Sequence, residues 1–155
     1  MKLHFDKIYS KYFDKVKNHI RYIIGDEKDS EDIAQEVFIK MYSNPPNDQN
    51  IAAWLFTVAK NLSINFLKSK SSREKREQQY FLERPQLTTL SYNFIETKEI
   101  LEKLNEMDRN LLILKFSGYS YDEISKILDI DKKQVGVRIL RAQKKFKKIY
   151  EGEEG

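Results

Sequence analysis

The chain has 155 residues, 40% hydrophobic and 34% charged, with a formal net charge of +4, two histidines and no cysteine. That length holds one ordinary domain or two small ones, and the composition excludes a disulfide scaffold, a thiolate zinc site and cysteine catalysis. Five glycines, three prolines and 12% aromatic residues point to a folded chain with few tight turns.

The expected class is all-α. Phe5, Ile8, Tyr9, Tyr12, Phe13, Val16, Ile20, Ile23 and Ile24 recur at three- and four-residue steps and predict one long amphipathic helix, ended by Gly25 and Asp26. A second helix is expected to start near Ser30, with Ile33, Val37, Phe38 and Met41 as its apolar stripe. Asn44-Pro45-Pro46-Asn47 breaks the chain. A third helical stretch carries Ile51, Trp54, Leu55, Val58, Ala59 and Leu62, continued by Phe66 and Leu67, and from Ser69 charge replaces the apolar pattern. Residues 77–95 read as a linker whose Tyr80, Phe81, Leu87, Leu90, Tyr92 and Phe94 are apolar enough to dock on something.

Beyond the linker, Ile100, Leu101 and Leu104 predict a short helix. Asp108 is expected to cap the next, which carries Leu111, Leu112, Leu114 and Phe116 and closes at Gly118. Ser120 and Glu123 form an S-x-x-E capping box that starts another helix. Asp129-Ile130-Asp131 is a turn, and Asp131 caps a last helix with Val135, Ile139, Ala142, Phe146 and Ile149 inward. No apolar run approaches the roughly 18 residues of a membrane span. The first 13 residues carry charge throughout, so no membrane insertion and no signal peptide are expected and the expected setting is cytoplasmic.

Charge is distributed unevenly. Asp26, Glu27, Asp29, Glu31, Asp32 and Glu36 face a single base, Lys28. Lys60, Lys68, Lys70, Arg73, Lys75 and Arg76 face a single acid, Glu74. Between residues 132 and 148 there are eight bases and no acid. A polyanion is attracted to the two basic segments and repelled by the acidic one. The stretch from Ser120 to Lys148 reads as a helix-turn-helix, whose longer second helix can enter a major groove and place Arg138, Arg141, Lys144 and Lys145 at phosphates or guanine edges. The competing structural reading is a helical hairpin with a solvated lysine face; the caps, the apolar stripe and the acid-free run together favour DNA. From Trp54 to Arg76, aromatic residues and the amides of Asn61 and Asn65 precede the basic cluster, an arrangement that can stack unpaired bases and track a single-stranded backbone. Trp54 taken alone fits core packing better, whereas Asn61 is hard to place in a core. The acids from Asp29 to Glu36 are explained locally as a helix start favoured by the dipole, with a basic protein partner as the alternative.

These three segments, in this order, resemble the extracytoplasmic-function (ECF) sigma factors, the small two-domain sigma subunits of bacterial RNA polymerase. The run from Asp29 to Phe38 is similar to their region-two motif, that from Ala53 to Leu62 to the following minus-ten segment, and the last half to region four. The resemblance implies two small helical domains, residues 1–76 and 96–155, the second a helix-turn-helix, joined by the linker. It implies that Asp29, Asp32, Gln35 and Glu36 contact the polymerase core. It places Trp54, Lys60, Asn61, Asn65, Lys68, Lys70 and Arg73 at minus-ten DNA, with Asn61 near a flipped non-template base. It places Ser120, Lys132, Lys133, Gln134, Arg138, Arg141, Lys144 and Lys145 at minus-thirty-five DNA. The chain departs from the family at Gly136, where a basic residue is common, and at Asn65, where many members have Asp.

The implied partners are bacterial RNA polymerase core, promoter DNA both duplex and single-stranded, and, as in many members, an anti-sigma factor. The expected function is promoter recognition, minus-ten melting and transcription initiation. The rival is a two-module helix-turn-helix regulator acting without polymerase core, which leaves the acidic motif and Asn61 without a task. No enzyme activity, cofactor or metal is expected: there is no cysteine and no glycine-rich phosphate loop, and His4 and His19 read as ordinary helix-surface residues.

Overall fold

The structure, a computed structural model, describes residues 4–47, 50–77 and 92–152, and the side chains of 4–47, 50–71 and 96–152. Every regular element among them is helical: α1 (Phe5–Ile24), α2 (Glu27–Ser43), α3 (Ile51–Glu77), α4 (Tyr92–Lys103), α5 (Glu106–Ser117), α6 (Tyr121–Leu128) and α7 (Lys132–Tyr150).

The punctuation explains most boundaries. Gly25 adopts a left-handed φ of 89°, which lets its amide close the last turn of α1 on the Arg21 carbonyl. α2 begins earlier than expected because Asp26 is its cap: the Asp26 carboxylate accepts from the Asp29 amide at 2.8 Å, while the Ser30 hydroxyl is buried and donates to the Asp26 carbonyl. α3 runs unbroken to Glu77, since the Lys, Arg and Glu of its charged end are good helix formers that need no apolar stripe. Helix therefore takes both edges of the expected linker, Glu77 at one end and Tyr92 at the other. The expected docking of Tyr80, Phe81, Leu87 and Leu90 falls on residues outside those described.

In the second half the cap of α5 is Asn105, not Asp108. The Asn105 side chain accepts from the Asp108 amide at 2.8 Å and donates to the Asp108 carboxylate at 3.0 Å, so Asp108 occupies the third helical position. Gly118 ends α5 at a φ of 101°. The Ser120–Glu123 capping box forms in both directions, at 2.8 and 3.1 Å. Asp131 caps α7 through the Lys133 amide at 3.0 Å.

α1 is the hub. It packs against α2 and α3 on one side and α5 on another; α3 also meets α6, and α7 lies on α5 and α6. One core runs from Val16, Ile20, Phe38 and Leu55 through Leu111, Leu112 and Leu114 to Ile124, Val135 and Ile139, so the two halves are packed on each other. Each such side chain, taken out of water, contributes about 1.5–3 kcal/mol.

His19 corrects the expectation of a surface residue. It is 2% exposed, stacked on Phe56 with ring centroids 4.5 Å apart, and its Nδ1 has no hydrogen-bond partner among the described residues. The heptad Tyr12, Val16, His19 places it inside the apolar stripe, where a neutral imidazole packs as a flat ring. Burial, and then the Lys60 charge, lower its pKa to about 3. Protonation is thus favoured in the unfolded chain, and His19 contributes stability that is complete above about pH 6.5 and is lost as pH falls toward 3. We expect His19→Leu to flatten the acid side of the stability profile, removing a slope of up to about 1.4 kcal/mol per pH unit between pH 6 and 4. Urea midpoints of both proteins across that range check this; parallel profiles would contradict a buried neutral His19.

Candidate nucleic-acid and protein interfaces

α7 turns Val135, Ile139 and Ala142 into the core and presents Lys132, Lys133, Gln134, Val137, Leu140, Arg141, Lys144 and Lys145 to solvent. Some of these bases are held by neighbours. Lys145 pairs with Asp108 at 2.8 Å, Lys132 lies 3.8 Å from Asp122, and Arg138 donates to the Gln134 side chain at 3.3 Å. Among the described residues no acid pairs with Lys133, Arg141 or Lys144, which therefore form an uncompensated positive face. Ser120 stands apart from that group: its hydroxyl is engaged in capping α6.

α3 carries a second exposed stripe, Asn61, Asn65 and Lys68, at three- and four-residue steps. The exposure of Asn61 solvates its amide and answers the difficulty of placing it in a core. Trp54 is half-buried and packs on the core, as its spacing favoured. Lys60 does not stand with the stripe as a free cation; it pairs with Glu106 of α5 at 3.2 Å. Lys70 is half-buried, and the Arg73 side chain lies outside the described residues.

On α2, Asp32, Gln35 and Glu36 are exposed opposite Ile33, Ala34, Val37 and Phe38. Asp29 is only half-exposed, with its amide bound to Asp26. The same exposed side continues into Ile39 and Tyr42, 62% and 72% exposed. The periodicity gave no warning of these two, because it marks where apolar residues repeat and not which of them stay exposed; the Tyr42 ring meets Phe5 edge-on at 5.3 Å between centroids.

Periodicity shows equally little of the contact between the halves, whose partners Lys15 and Glu123 lie 108 residues apart. Lys15 of α1 binds Glu123 of α6 at 3.1 Å, and Lys11 lies 3.8 Å from its other oxygen. Lys15 also sits 5.4 and 5.7 Å from the ring centroids of Tyr12 and Tyr119. Burial raises both phenols well above their ordinary range, helped at Tyr12 by a hydrogen bond to Glu123 and then its charge, and at Tyr119 by the Glu123 charge. For Glu123 itself burial opposes ionisation, but the Ser120 amide, Tyr12 and Lys15 outweigh it and hold the carboxyl at about 2. Further along, the Asn50 side chain donates to the Lys126 carbonyl at 2.9 Å, and Tyr22 meets Phe116 at 6.0 Å between ring centroids.

Residues 8–73 match the Sigma-70 region 2 model and residues 95–146 the Sigma-70, region 4 model. The chain belongs to the ECF sigma factors. This sigma factor is 28% identical to the RNA polymerase sigma-H factor of Pseudomonas aeruginosa, over 93% of the chain and 84% of that protein. It is 26% identical to the ECF RNA polymerase sigma factor SigW of Bacillus subtilis, over 88% of the chain and 83% of that protein. Among solved structures its fold matches the sigma factor RpoE of Bartonella quintana in complex with the anti-sigma factor NepR, at 19% identity and a TM-score of 0.60, covering 97% of this chain and 98% of that one. It also matches CnrH in complex with the cytosolic domain of CnrY, at 19% identity and a TM-score of 0.63, covering 97% and 89%. Its function is that of an RNA polymerase sigma factor in transcription initiation.

The seam supplies its own test. A double-mutant cycle on Lys15→Met and Glu123→Gln, where glutamine keeps a capping acceptor, should give a coupling of about 1 kcal/mol in urea unfolding near pH 7. Because the folded pKa of Glu123 is depressed from 4.5 to about 2, its contribution is present above the unfolded pKa and is lost as pH falls through the folded one. The coupling should therefore vanish near pH 2. A coupling near zero at pH 7 would mean that the pair does not hold the halves together.

Proposed function

We propose that this sigma factor docks on bacterial RNA polymerase core through Asp32, Gln35 and Glu36, with Asp29 at the edge of that face. In this reading the exposed stripe of α3 holds unpaired minus-ten bases, Asn61 and Asn65 at the bases and Lys60, Lys68, Lys70 and Arg73 along the backbone. Trp54 supports the stripe from the core side. α7 reads minus-thirty-five duplex, with Lys132, Lys133, Gln134, Arg138 and Arg141 toward the groove and Lys144 and Lys145 toward phosphates. Ser120 contributes by fixing the start of α6. The protein acts in the cytoplasm and catalyses nothing itself. The observation that carries the reading is an acidic helix face and two basic or amide-bearing faces on one chain, within the two matched sigma regions.

The packed halves add a step. The two promoter elements are, by their names, about 25 base pairs apart, or about 85 Å of duplex, whereas a chain of this length packed as one body is about 40 Å across. Both elements can be held together only after the contacts of Glu123, Lys126, Glu106 and Phe116 with the first half are released. Release also frees Lys60 from Glu106. Polymerase core supplies the fixed separation, and with it the effective concentration that makes two small contact sets useful. An anti-sigma factor, as found on the sigma factor RpoE of Bartonella quintana, is the partner expected to oppose that release.

Reversal of the acidic face tests the assignment. Asp32→Lys with Glu36→Lys changes exposed positions, so folding should be unaffected. Core binding and run-off transcription should fall by at least about 100-fold, the scale of losing a close interfacial charge pair, while salt-dependent binding to non-specific duplex persists. Transcription at the wild-type level would refute the core-docking role of α2 and favour a regulator that works without polymerase.

A further inference from the structure

α7 has one feature that attraction to phosphate does not explain. Val137 stands two residues from both Val135 and Ile139, which at 100° per residue turns it about 160° away from each. Those two are 1% exposed or less, and Val137 is 51% exposed. It occupies the middle of the solvent face, with Lys133 and Arg141 one turn to either side and Gln134 and Leu140 flanking it. Leu140 is 53% exposed. A β-branched residue gains nothing for the helix at an open position, and among the described residues Val137 remains about half exposed. Beside it, Gly136 lacks a side chain although packing does not demand that: a Cβ there would meet Tyr121 at 3.5 Å, an ordinary contact.

What could cover Val137 follows from the charge around it. A face ringed by Lys133, Arg141 and Lys144 attracts a polyanion, and the apolar group on base edges in a major groove is the thymine methyl. We propose that Val137 is a specificity-determining residue that packs on a thymine methyl within the minus-thirty-five element. The proposal rests on the reading of α7 as the duplex-reading helix and adds to it the chemical group read. Leu140 borders the same contact one turn on, and Gln134 approaches the neighbouring base pair.

The test uses the full chain assembled with polymerase core, on the best promoter drawn from a random library. Each thymine of the minus-thirty-five element is replaced singly by deoxyuridine, which removes the methyl and preserves pairing. One replacement should weaken wild-type binding about three- to five-fold, the scale of one buried methyl group. The same replacement should leave Val137→Ser unchanged, and the variant on thymine should bind like the wild type on uracil at that position. If the holoenzyme protects the element from cleavage but no replacement distinguishes wild type from variant, the Val137 contact is wrong and the duplex-reading role of α7 stands. If Val137→Ser instead lowers affinity for core polymerase with no change on DNA, Val137 is a protein contact and the proposal falls. If no protection of the element is seen, the duplex-reading role fails and the Val137 contact fails with it.

Discussion

The Glu123 carboxylate serves two structures at once. One of its oxygens accepts from the Ser120 amide and so starts α6, and it also receives Lys15 from α1, 108 residues away in sequence. Such a group has a large cost of burial, offset only while both partners remain. Its hydrogen bonds orient the first helix of the helix-turn-helix and, in the same stroke, fix the second half of the chain against the first. The seam around it is mixed in character, with aromatic rings, one buried ion pair and a side-chain amide on a carbonyl. This polar and aromatic part of the seam opens more readily than the shared apolar core beneath it.

This matters because the candidate faces are not hidden by the packing. The acids of α2, the amides of α3 and the bases of α7 all face solvent in the packed form. What the packing restricts is their separation. On the proposed assignment, a sigma factor with both promoter grips on one compact body holds either element but not the two together. Affinity then comes from the geometry imposed by a larger assembly, and no single face needs to be strong.

Local rules made much of this legible. Apolar periodicity located the helices, and the Gly25, Gly118, Ser120–Glu123 and Asp131 signals marked where they start or stop, because caps are satisfied by residues within four positions. Two errors were also local. Asn105 and Asp108 are both good caps three residues apart, and the choice between them depended on where Leu104 had to be buried. Asp26 likewise preceded the expected start at Ser30. His19 was misread because a polar letter was taken for a polar position, although Val16 and Ile20 on the same stripe marked it as interior. The candidate faces on α2, α3 and α7 were visible as runs of charge, but the engagement of Lys60 and Lys145 by acids from α5 was not. Nor was the second role of Glu123, which depends on a lysine from the other end of the chain.

The account stands on two halves that are docked in the free chain and parted on polymerase. Since the protein has no native cysteine, Ser43→Cys and Glu151→Cys place single labels at the exposed ends of α2 and α7 without background. Energy transfer between them should report one short distance in the free protein and, on addition of polymerase core, a lengthening by tens of ångströms. The same distance in both states, in a protein that initiates transcription, would contradict it.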